Sequence, residues 1–296
     1  MEGLRSFTAT MPSDLLKALF LPAALIFIMF GMGMSLTPGD FKRVILAPKA
    51  KILGLACQLL ALPVLAFCLA AALRLPGELA VGLMLVAACP GGPTSNIISH
   101  LSRGDTALSV SLTAVSSMVT VFSIPLVVGG SIHYFLGETA AIALPFWKTV
   151  AQLVIVTILP VALGMAANAA RPAWCARMAR PFHIISIAFL ALVIIAAVVR
   201  EDDLGRQFVL AGPAALALNV GSMALGFAAA VWFRLSHPQR ISISIEVGIQ
   251  NGTLALAIGL GMLESARIAM PAVVYSLIMF ATGGLMILRF GRAARG

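Results

Sequence analysis

A single glutamate lies in the middle of an apolar segment near the end of the chain. In ISISIEVGIQNGTLALAIG (residues 241–259), Glu246 is followed by Gln250 and Asn251. The spacing of four places Glu246 and Gln250 on one face if the segment is helical. A carboxylate at membrane depth is costly and marks an ion pathway or a paired site. Pairing with a membrane arginine is the weaker alternative, since no apolar span carries Lys or Arg at its centre.

A second polar interruption lies in AACPGGPTSNIISH (residues 87–100). Pro90 and Pro93 each remove a backbone donor, so a regular helix cannot continue through them. Unwound backbone at membrane depth is tolerated only inside protein or beside a wet cavity. The amides of Thr94 and Ser95, at the start of a second half-helix, are expected to be free to hold an anionic group. A proline kink that serves packing alone is the alternative.

Two further polar features favour the same centre. Gln58 is the one strongly polar residue in the middle of the apolar segment 48–73, where it needs an amide partner or an ion. A stripe of hydroxyl side chains follows one face of the segment 105–130, although small residues for close helix packing explain its lower members equally well. The stripe consists of Ser109, Thr113, Ser116, Thr120 and Ser123.

The composition indicates that these elements lie in a membrane. Of the 296 residues, 60% are hydrophobic and only 10% are charged, against about 25% in soluble domains. The net charge of +9 sits in short connections, which is typical of topology signals rather than of nucleic-acid binding. We therefore expect an all-α polytopic protein whose partner is the lipid bilayer.

Hydropathy and turn signals predict nine transmembrane helices in a single transporter domain. The expected spans are 15–36, 48–73, 77–101, 105–130, 142–167, 180–200, 208–233, 240–263 and 268–289.

The distribution of basic residues predicts the orientation. If the connection 37–51 is cytoplasmic, thirteen of the twenty Lys and Arg residues lie inside, whereas the acidic stretch REDDLGR lies outside. The positive-inside rule then favours a cell-membrane protein with its N-terminus outside and its C-terminus inside. The thirteen are Lys42, Arg43, Lys49, Lys51, Arg103, Arg171, Arg177, Arg180, Arg234, Arg240, Arg289, Arg292 and Arg295.

The third and eighth spans carry the interruptions and run in opposite directions. Paired interrupted spans in oppositely oriented halves are the signature of an inverted-repeat secondary transporter. We expect a first repeat at about 15–136, which lacks one helix, and a second at about 137–290. The chain carries no GxxxxGK[ST], HExxH or GxSxG motif and no intramembrane acidic pair, so neither an enzyme nor an ATP-driven pump is expected.

The motifs CPGGPTSNIISHLSRGDTALSVSLT and EVGIQNGTLALA resemble the two crossing-helix motifs of the bile acid:sodium symporter family, in a bacterial-type member. The resemblance spans about residues 15–290. It implies a core domain, a panel domain, sodium as the coupling ion and no other cofactor. By this resemblance, the first sodium site would use Ser95, Asn96, Ser109, Thr113 and Glu246, and the second would use Gln58, Glu246, Gln250 and the carbonyl oxygens of Val247 and Ile249.

The expected substrate is a small organic anion. Where bile acid carriers tend to have Trp-His-Asn in the last span, this chain has Met279-Phe280-Ala281, and Pro93 follows the double glycine. Both departures remove polar groups, so a bile-acid-like anion and a small keto- or hydroxy-acid both stay open. A proton-coupled carrier or exporter that uses Glu246, and a membrane sensor or channel, are the alternatives. Substrate contacts are expected at Pro93, Thr94, Asn251, Phe280 and Ala281.

Overall fold

The computed structural model describes residues 21–40, 48–137, 142, 144–200 and 204–291. Every regular element in these residues is a helix, as predicted. Six helical stretches are long and apolar enough to cross a membrane, and a seventh is added if the bent pair at 77–101 is one span. The helices are α1 (Leu21–Gly33), α2 (Lys49–Ala72), α3 (Gly77–Ala88), α4 (Pro93–Leu101), α5 (Thr106–Leu136), α6 (Phe146–Ala170), α7 (Pro172–Arg200), α8 (Leu204–Trp232), α9 (His237–Gly248), α10 (Gly252–Ala257) and α11 (Ala266–Met286).

The sixth expected span, 180–200, starts too late, because α7 begins at Pro172. The Pro- and Arg-rich run before it was interpreted as a connection, yet only Arg171 separates α6 from α7. Pro172 occupies the first helical position, where its missing N–H costs nothing, and Pro181 lies within the helix. Cys175, which falls between the expected spans 142–167 and 180–200, is a buried residue of α7.

Some expectations fall outside the described residues. They concern residues 15–20 of the first span, the acidic residues 201–203, and the basic residues Lys42, Arg43, Arg292 and Arg295.

The backbone adopts the same local conformation around Arg74 and around Arg234, which are 160 residues apart in the sequence. Both arginines adopt left-handed φ values, 49° and 55°, directly after a helix. The amides of the next residues, Leu75 and Leu235, each donate to an alanine carbonyl of the preceding helix. Because the left-handed region is uncommon for residues other than glycine, its recurrence at this spacing is a specific local correspondence between the two stretches.

The correspondence continues through the following helices. α3 and α9 both have 12 residues, and each is followed by an interruption and then a shorter helix. At the next turn, the side chains of Asp105 and Ser265 each accept a hydrogen bond from the amide three residues later and so cap α5 and α11. These caps are again 160 residues apart.

The helices pack in two groups. α1 packs against α6 and α7, and the rings of Phe27 and Phe182 stack with their centroids 4.3 Å apart. Gly33 and Gly164 permit a close approach, since a Cβ on either would strike the backbone of the facing helix. The interrupted helices pack among α5, α8 and α11, and α10 also contacts α1 and α7. The interruptions thus lie where the two groups meet.

Candidate cation site and adjoining recess

The first interruption separates α3 from α4, whose axes meet at 63°. Gly92 precedes α4 in an extended conformation (φ −138°, ψ −178°), and Pro93 begins the helix. The second interruption separates α9 from α10, with Ile249 extended and Asn251 as the N-cap. The amide of Asn251 donates to the carbonyl of Pro90 at 2.8 Å, so the two interruptions are in direct contact.

The carboxylate of Glu246 is buried among hydroxyl groups from other helices. Ser95 Oγ of α4 and Ser109 Oγ of α5 each donate to its Oε2 at 2.9 Å. Thr113 Oγ1, one turn after Ser109, donates to Oε1. No Lys or Arg appears among these hydrogen-bond partners, so within the described chain the carboxylate is held by neutral groups.

Each hydroxyl around Glu246 also contacts a second oxygen acceptor. A hydroxyl carries one hydrogen, so three hydrogens serve six oxygen–oxygen contacts and three of those contacts have no proton between them. Such an excess of lone pairs around a carboxylate is what a bound cation would relieve. The second acceptors are Gly92 O, 2.8 Å from Ser95 Oγ, and Asn96 Oδ1, 2.8 Å from Ser109 Oγ and 3.2 Å from Thr113 Oγ1.

The double glycine explains how α4 approaches the carboxylate. A Cβ on Gly91 would fall on the Glu246 side chain, whereas a Cβ on Gly92 would reach only ordinary contact, 3.9 Å from Asn251. Gly91 is therefore required by space at the carboxylate, whereas an alanine would fit at Gly92.

Gln58 and Gln250 form a second polar pair. Gln58 Nε2 donates to Gln250 Oε1 at 2.8 Å and to the carbonyl of Cys89 at 2.9 Å. Gln250 Nε2 donates to the carbonyl of Val247 at 2.7 Å. Gln58 lies in a widened π turn of α2, Cys57–Ala61, an irregularity often found at functional sites. Among the described residues no hydrogen bond joins this pair to Glu246, so the residues expected to share one cation form two neighbouring networks.

Further along the hydroxyl stripe, the side chains of Ser116 and Thr120 form hydrogen bonds within α5 itself. Ser116 Oγ donates to the carbonyl of Thr113, and Thr120 Oγ1 donates to the carbonyl of Ser117, both at 3.2 Å. Ser123 is half-buried. Ser116 and Thr120 are thus buried and bonded to their own helix, and among the described residues of the stripe only Ser109 and Thr113 bond to the carboxylate.

An open recess lies beside the interruptions. Asn251 Oδ1 accepts from the amide of Leu254, which leaves its buried Nδ2 without a partner. The described residues that line the recess include no Lys or Arg. Of the expected substrate contacts, four line the recess: Pro93, Thr94, Asn251 and Phe280.

The structure places two of the expected groups away from this recess or occupied. Ala281 is exposed and is not among the residues that line the recess, where α11 presents Met279 and Phe280. The amide of Ser95 is not free, since it donates to the carbonyl of Gly92 at 3.0 Å in a tight first turn of α4.

Sequence reasoning also missed three polar residues. The hydroxyl of Ser276 is fully buried without a partner, and a Cβ on Gly252 would strike it. Asn219 and Tyr275 both donate to the carbonyl of Gly248, at the end of α9. Asn219 could have been found in the same way as Gln58, because each is a side-chain amide within an otherwise apolar helix, α8 and α2 respectively.

Comparison with known proteins gives a consistent assignment. The model of the sodium bile acid symporter family matches residues 22–205. The chain is 30% identical to the uncharacterised sodium-dependent transporter YocS of Bacillus subtilis over 262 residues, 88% of this chain and 79% of that protein. It is 29% identical to the probable sodium/metabolite cotransporter BASS2, chloroplastic, of Oryza sativa subsp. japonica, over 90% of this chain and 62% of that protein.

A human relative, sodium/bile acid cotransporter 4, is 28% identical over 81% of this chain and 55% of its own length. The match to the family model covers more than half of the chain, and the bacterial relative aligns over most of both sequences. The chain belongs to the sodium bile acid symporter family.

Proposed function

We propose that this protein carries an organic anion across the cell membrane by symport with sodium. The observation that carries the proposal is the buried Glu246 carboxylate, surrounded by hydroxyl oxygens with too few hydrogens for their contacts. Relatives named as sodium-dependent or sodium-coupled support the choice of ion.

The first sodium would bind at the Glu246 cluster. Sodium is a hard cation that prefers oxygen ligands, by the same logic as calcium and magnesium. The cluster offers the carboxylate, an amide oxygen and hydroxyl oxygens within one buried space, and Glu246 supplies the compensating charge. The proposed ligands are Ser95, Asn96, Ser109, Thr113 and Glu246.

The second sodium would bind at the neighbouring amide pair. There the donors of Gln58 and Gln250 already satisfy nearby oxygens, including the carbonyl of Val247. Binding would require the two amides to rotate and present their oxygens, so we expect this site to form as the ion enters. The proposed ligands are Gln58, Glu246, Gln250 and the carbonyls of Val247 and Ile249.

The 160-residue correspondence supports an inverted repeat with crossing interrupted helices. The proposed repeats are about 15–136 and 137–290, in nine spans with the N-terminus outside and the C-terminus inside. The group built on α1, α6 and α7 would be the panel domain, and the remaining helices would be the core domain. The contact between Pro90 and Asn251 would be the crossing point.

The organic anion would bind in the recess between these groups. Since the described lining residues include no Lys or Arg, negative charge would be met by the buried Nδ2 of Asn251, which has no hydrogen-bond partner. The side chains of Ile28, Met279 and Phe280 line the same recess, which favours an anion with an apolar body. Both a bile-acid-like anion and a small keto- or hydroxy-acid meet this description.

Coupling would follow from the shared backbone of the first interruption. Ser95 faces Glu246, whereas the preceding Thr94 faces the recess. A sodium ion bound to Ser95 and Asn96 would fix the start of α4 and so order the surface that meets the anion. A proton on Glu246 is the alternative, but it would supply one hydrogen to a cluster in which three contacts lack one.

The proposal is tested by uptake into proteoliposomes under an inward sodium gradient or an inward proton gradient. Suitable radiolabelled probes are taurocholate, a steroidal anion, and 2-oxobutyrate, a small keto acid. We expect the sodium gradient to drive accumulation of one of them and the proton gradient to drive none. Accumulation driven equally well by a proton gradient in sodium-free buffer would contradict sodium symport.

A further inference from the structure

The carbonyl oxygen of Gly248 is held by two buried donors that the sodium ligands do not include. Asn219 Nδ2 donates to it at 2.7 Å, and Tyr275 OH donates at 2.8 Å. Both side chains and Gly248 itself are buried. Since Asn219 belongs to α8 and Tyr275 to α11, two helices hold one peptide group at the end of α9.

This peptide group lies between two proposed sodium ligands. A peptide unit is planar, so two hydrogen bonds to Gly248 O fix the plane that joins Gly248 to Ile249. The carbonyls of Val247 and Ile249 can then turn only about the backbone dihedrals on either side of that plane. Their directions are therefore restricted before any ion binds.

α9 is also anchored to α8 by close packing. A Cβ on Gly248 would strike the side chain of Met223, one turn after Asn219. One turn earlier in α9, Ser244 Oγ donates to the carbonyl of Met223 at 2.8 Å. Successive turns of α9 thus bond directly to α8, which leaves the end of α9 little freedom to shift.

The first interruption is held differently. In the 160-residue correspondence, Leu59 and Val115 occupy the places of Asn219 and Tyr275, and neither side chain carries a donor. The counterpart of Gly248 is Ala88, and no described side chain donates to its carbonyl; the amide of Gln58 donates instead to the next carbonyl, that of Cys89. The two side-chain donors on Gly248 O are thus a feature of the second interruption alone among the described residues.

Asn219 also brings an energetic cost. Its Oδ1 is buried with no hydrogen-bond partner, and an unsatisfied buried acceptor destabilises a fold. A leucine fills the equivalent place in the first half of the chain. The amide therefore contributes more through the direction it gives to the Gly248 peptide than through stability.

We infer that Asn219 and Tyr275 are positioning residues for the second sodium ion. This inference rests on the proposed function. The two side chains hold the Gly248 peptide so that the carbonyls of Val247 and Ile249 point towards the ion. Supporting groups of this kind typically change metal affinity by about 10–100-fold when removed.

The test is Tyr275→Phe, which removes the donor and keeps the ring. Thermal unfolding of the purified protein is followed while sodium replaces choline at constant ionic strength. We expect the half-saturating sodium concentration to rise about 10-fold or more, with full stabilisation recovered at saturating sodium. Tyr134→Phe is the matched control, because Tyr134 is the other of two tyrosines and is 64% exposed.

Asn219→Leu should raise the half-saturating sodium concentration in the same way, with Asn168→Leu as its control. Asn168 also donates its amide to a backbone carbonyl, that of Leu36, but in the other group of helices. If Tyr275→Phe lowers the unfolding temperature in choline and leaves the half-saturating sodium concentration unchanged, the residues are merely structural and the inference is wrong.

Glu246→Gln separates this outcome from failure of the proposed function. If sodium stabilises the parent but not Glu246→Gln, the proposed function stands and Tyr275→Phe decides the inference alone. If sodium stabilises neither protein, sodium coupling itself is contradicted. Should Asn219→Leu fail to fold, the comparison of Tyr275→Phe with Tyr134→Phe still decides whether the inference holds.

Discussion

The backbone amide of Asn251 donates to the carbonyl of Pro90 at 2.8 Å. This bond joins the two interruptions, whose other sides carry the hydroxyl cluster around Glu246 and the recess lined by Thr94. Ion and anion would therefore be bound by opposite sides of the same two pieces of unwound backbone.

Gly91→Ala should abolish the sodium response of thermal unfolding, because its methyl group would occupy the position of the Glu246 carboxylate. Gly92→Ala is the matched control one residue away. Its methyl group would make only ordinary contact with Asn251, and the extended backbone at Gly92 suits any residue. Equal losses in the two variants would show that the space beside Glu246 is not the cause.

Ser109→Ala should lower sodium affinity by at least about 10-fold, because it removes a proposed oxygen ligand of the bound ion. A contact between a hydroxyl and a charged group contributes about 1.5–3 kcal/mol, and 1.4 kcal/mol is tenfold. Ser116→Ala removes a hydroxyl that bonds to its own helix and should leave sodium affinity unchanged. Both are measured by sodium titration of the purified protein. A similar effect at both positions would contradict the assignment of Ser109 as a ligand.

Asn251→Ala should mainly lower the affinity for the anion, whereas Ser95→Ala should lower the affinities for both the anion and sodium. By linkage, in the parent protein sodium must raise anion affinity by the same factor as the anion raises sodium affinity. We expect a factor of about 5–150, measured by calorimetric titration of each ligand with and without the other. Anion affinity that is indifferent to sodium would rule out the coupling route through α4.

The orientation can be tested at two equivalent turns of the proposed repeats. Arg103 and Glu264 both have left-handed φ values, 58° and 51°. In a background that lacks the exposed Cys68, Arg103→Cys should react with a membrane-impermeant maleimide only from the cytoplasmic side. Glu264→Cys should react only from outside. Labelling of both from one side would contradict an inverted repeat.

The interruptions could be predicted because proline and glycine act locally. Pro90 and Pro93 cannot continue a helix whatever surrounds them, so α3 ends before them as the sequence predicts. Glu246 could be found because a lone carboxylate is conspicuous in an apolar segment. The boundary of α7 could not, because Pro172 and the nearby arginines are compatible with either a turn or the start of a helix.

The partners of each polar side chain depend on helix packing and were less predictable. Ser109 and Ser116 belong to the same hydroxyl stripe, yet Ser109 bonds to Glu246 of α9 whereas Ser116 bonds to its own helix. The Ser95 amide is taken up by a local turn to Gly92, which no pattern of residue types specifies. Asn219 and Tyr275 meet at Gly248 only after α8, α9 and α11 have packed together.

Equilibrium binding of radioactive sodium to the purified protein tests the central claim most directly. Parent protein and Glu246→Gln are compared in choline buffer, with correct folding of the variant checked by circular dichroism. The parent should bind sodium saturably and Glu246→Gln should not, because the amide keeps the shape of the side chain and removes the charge that compensates the ions. Saturable sodium binding of equal affinity in a folded Glu246→Gln protein would contradict the account.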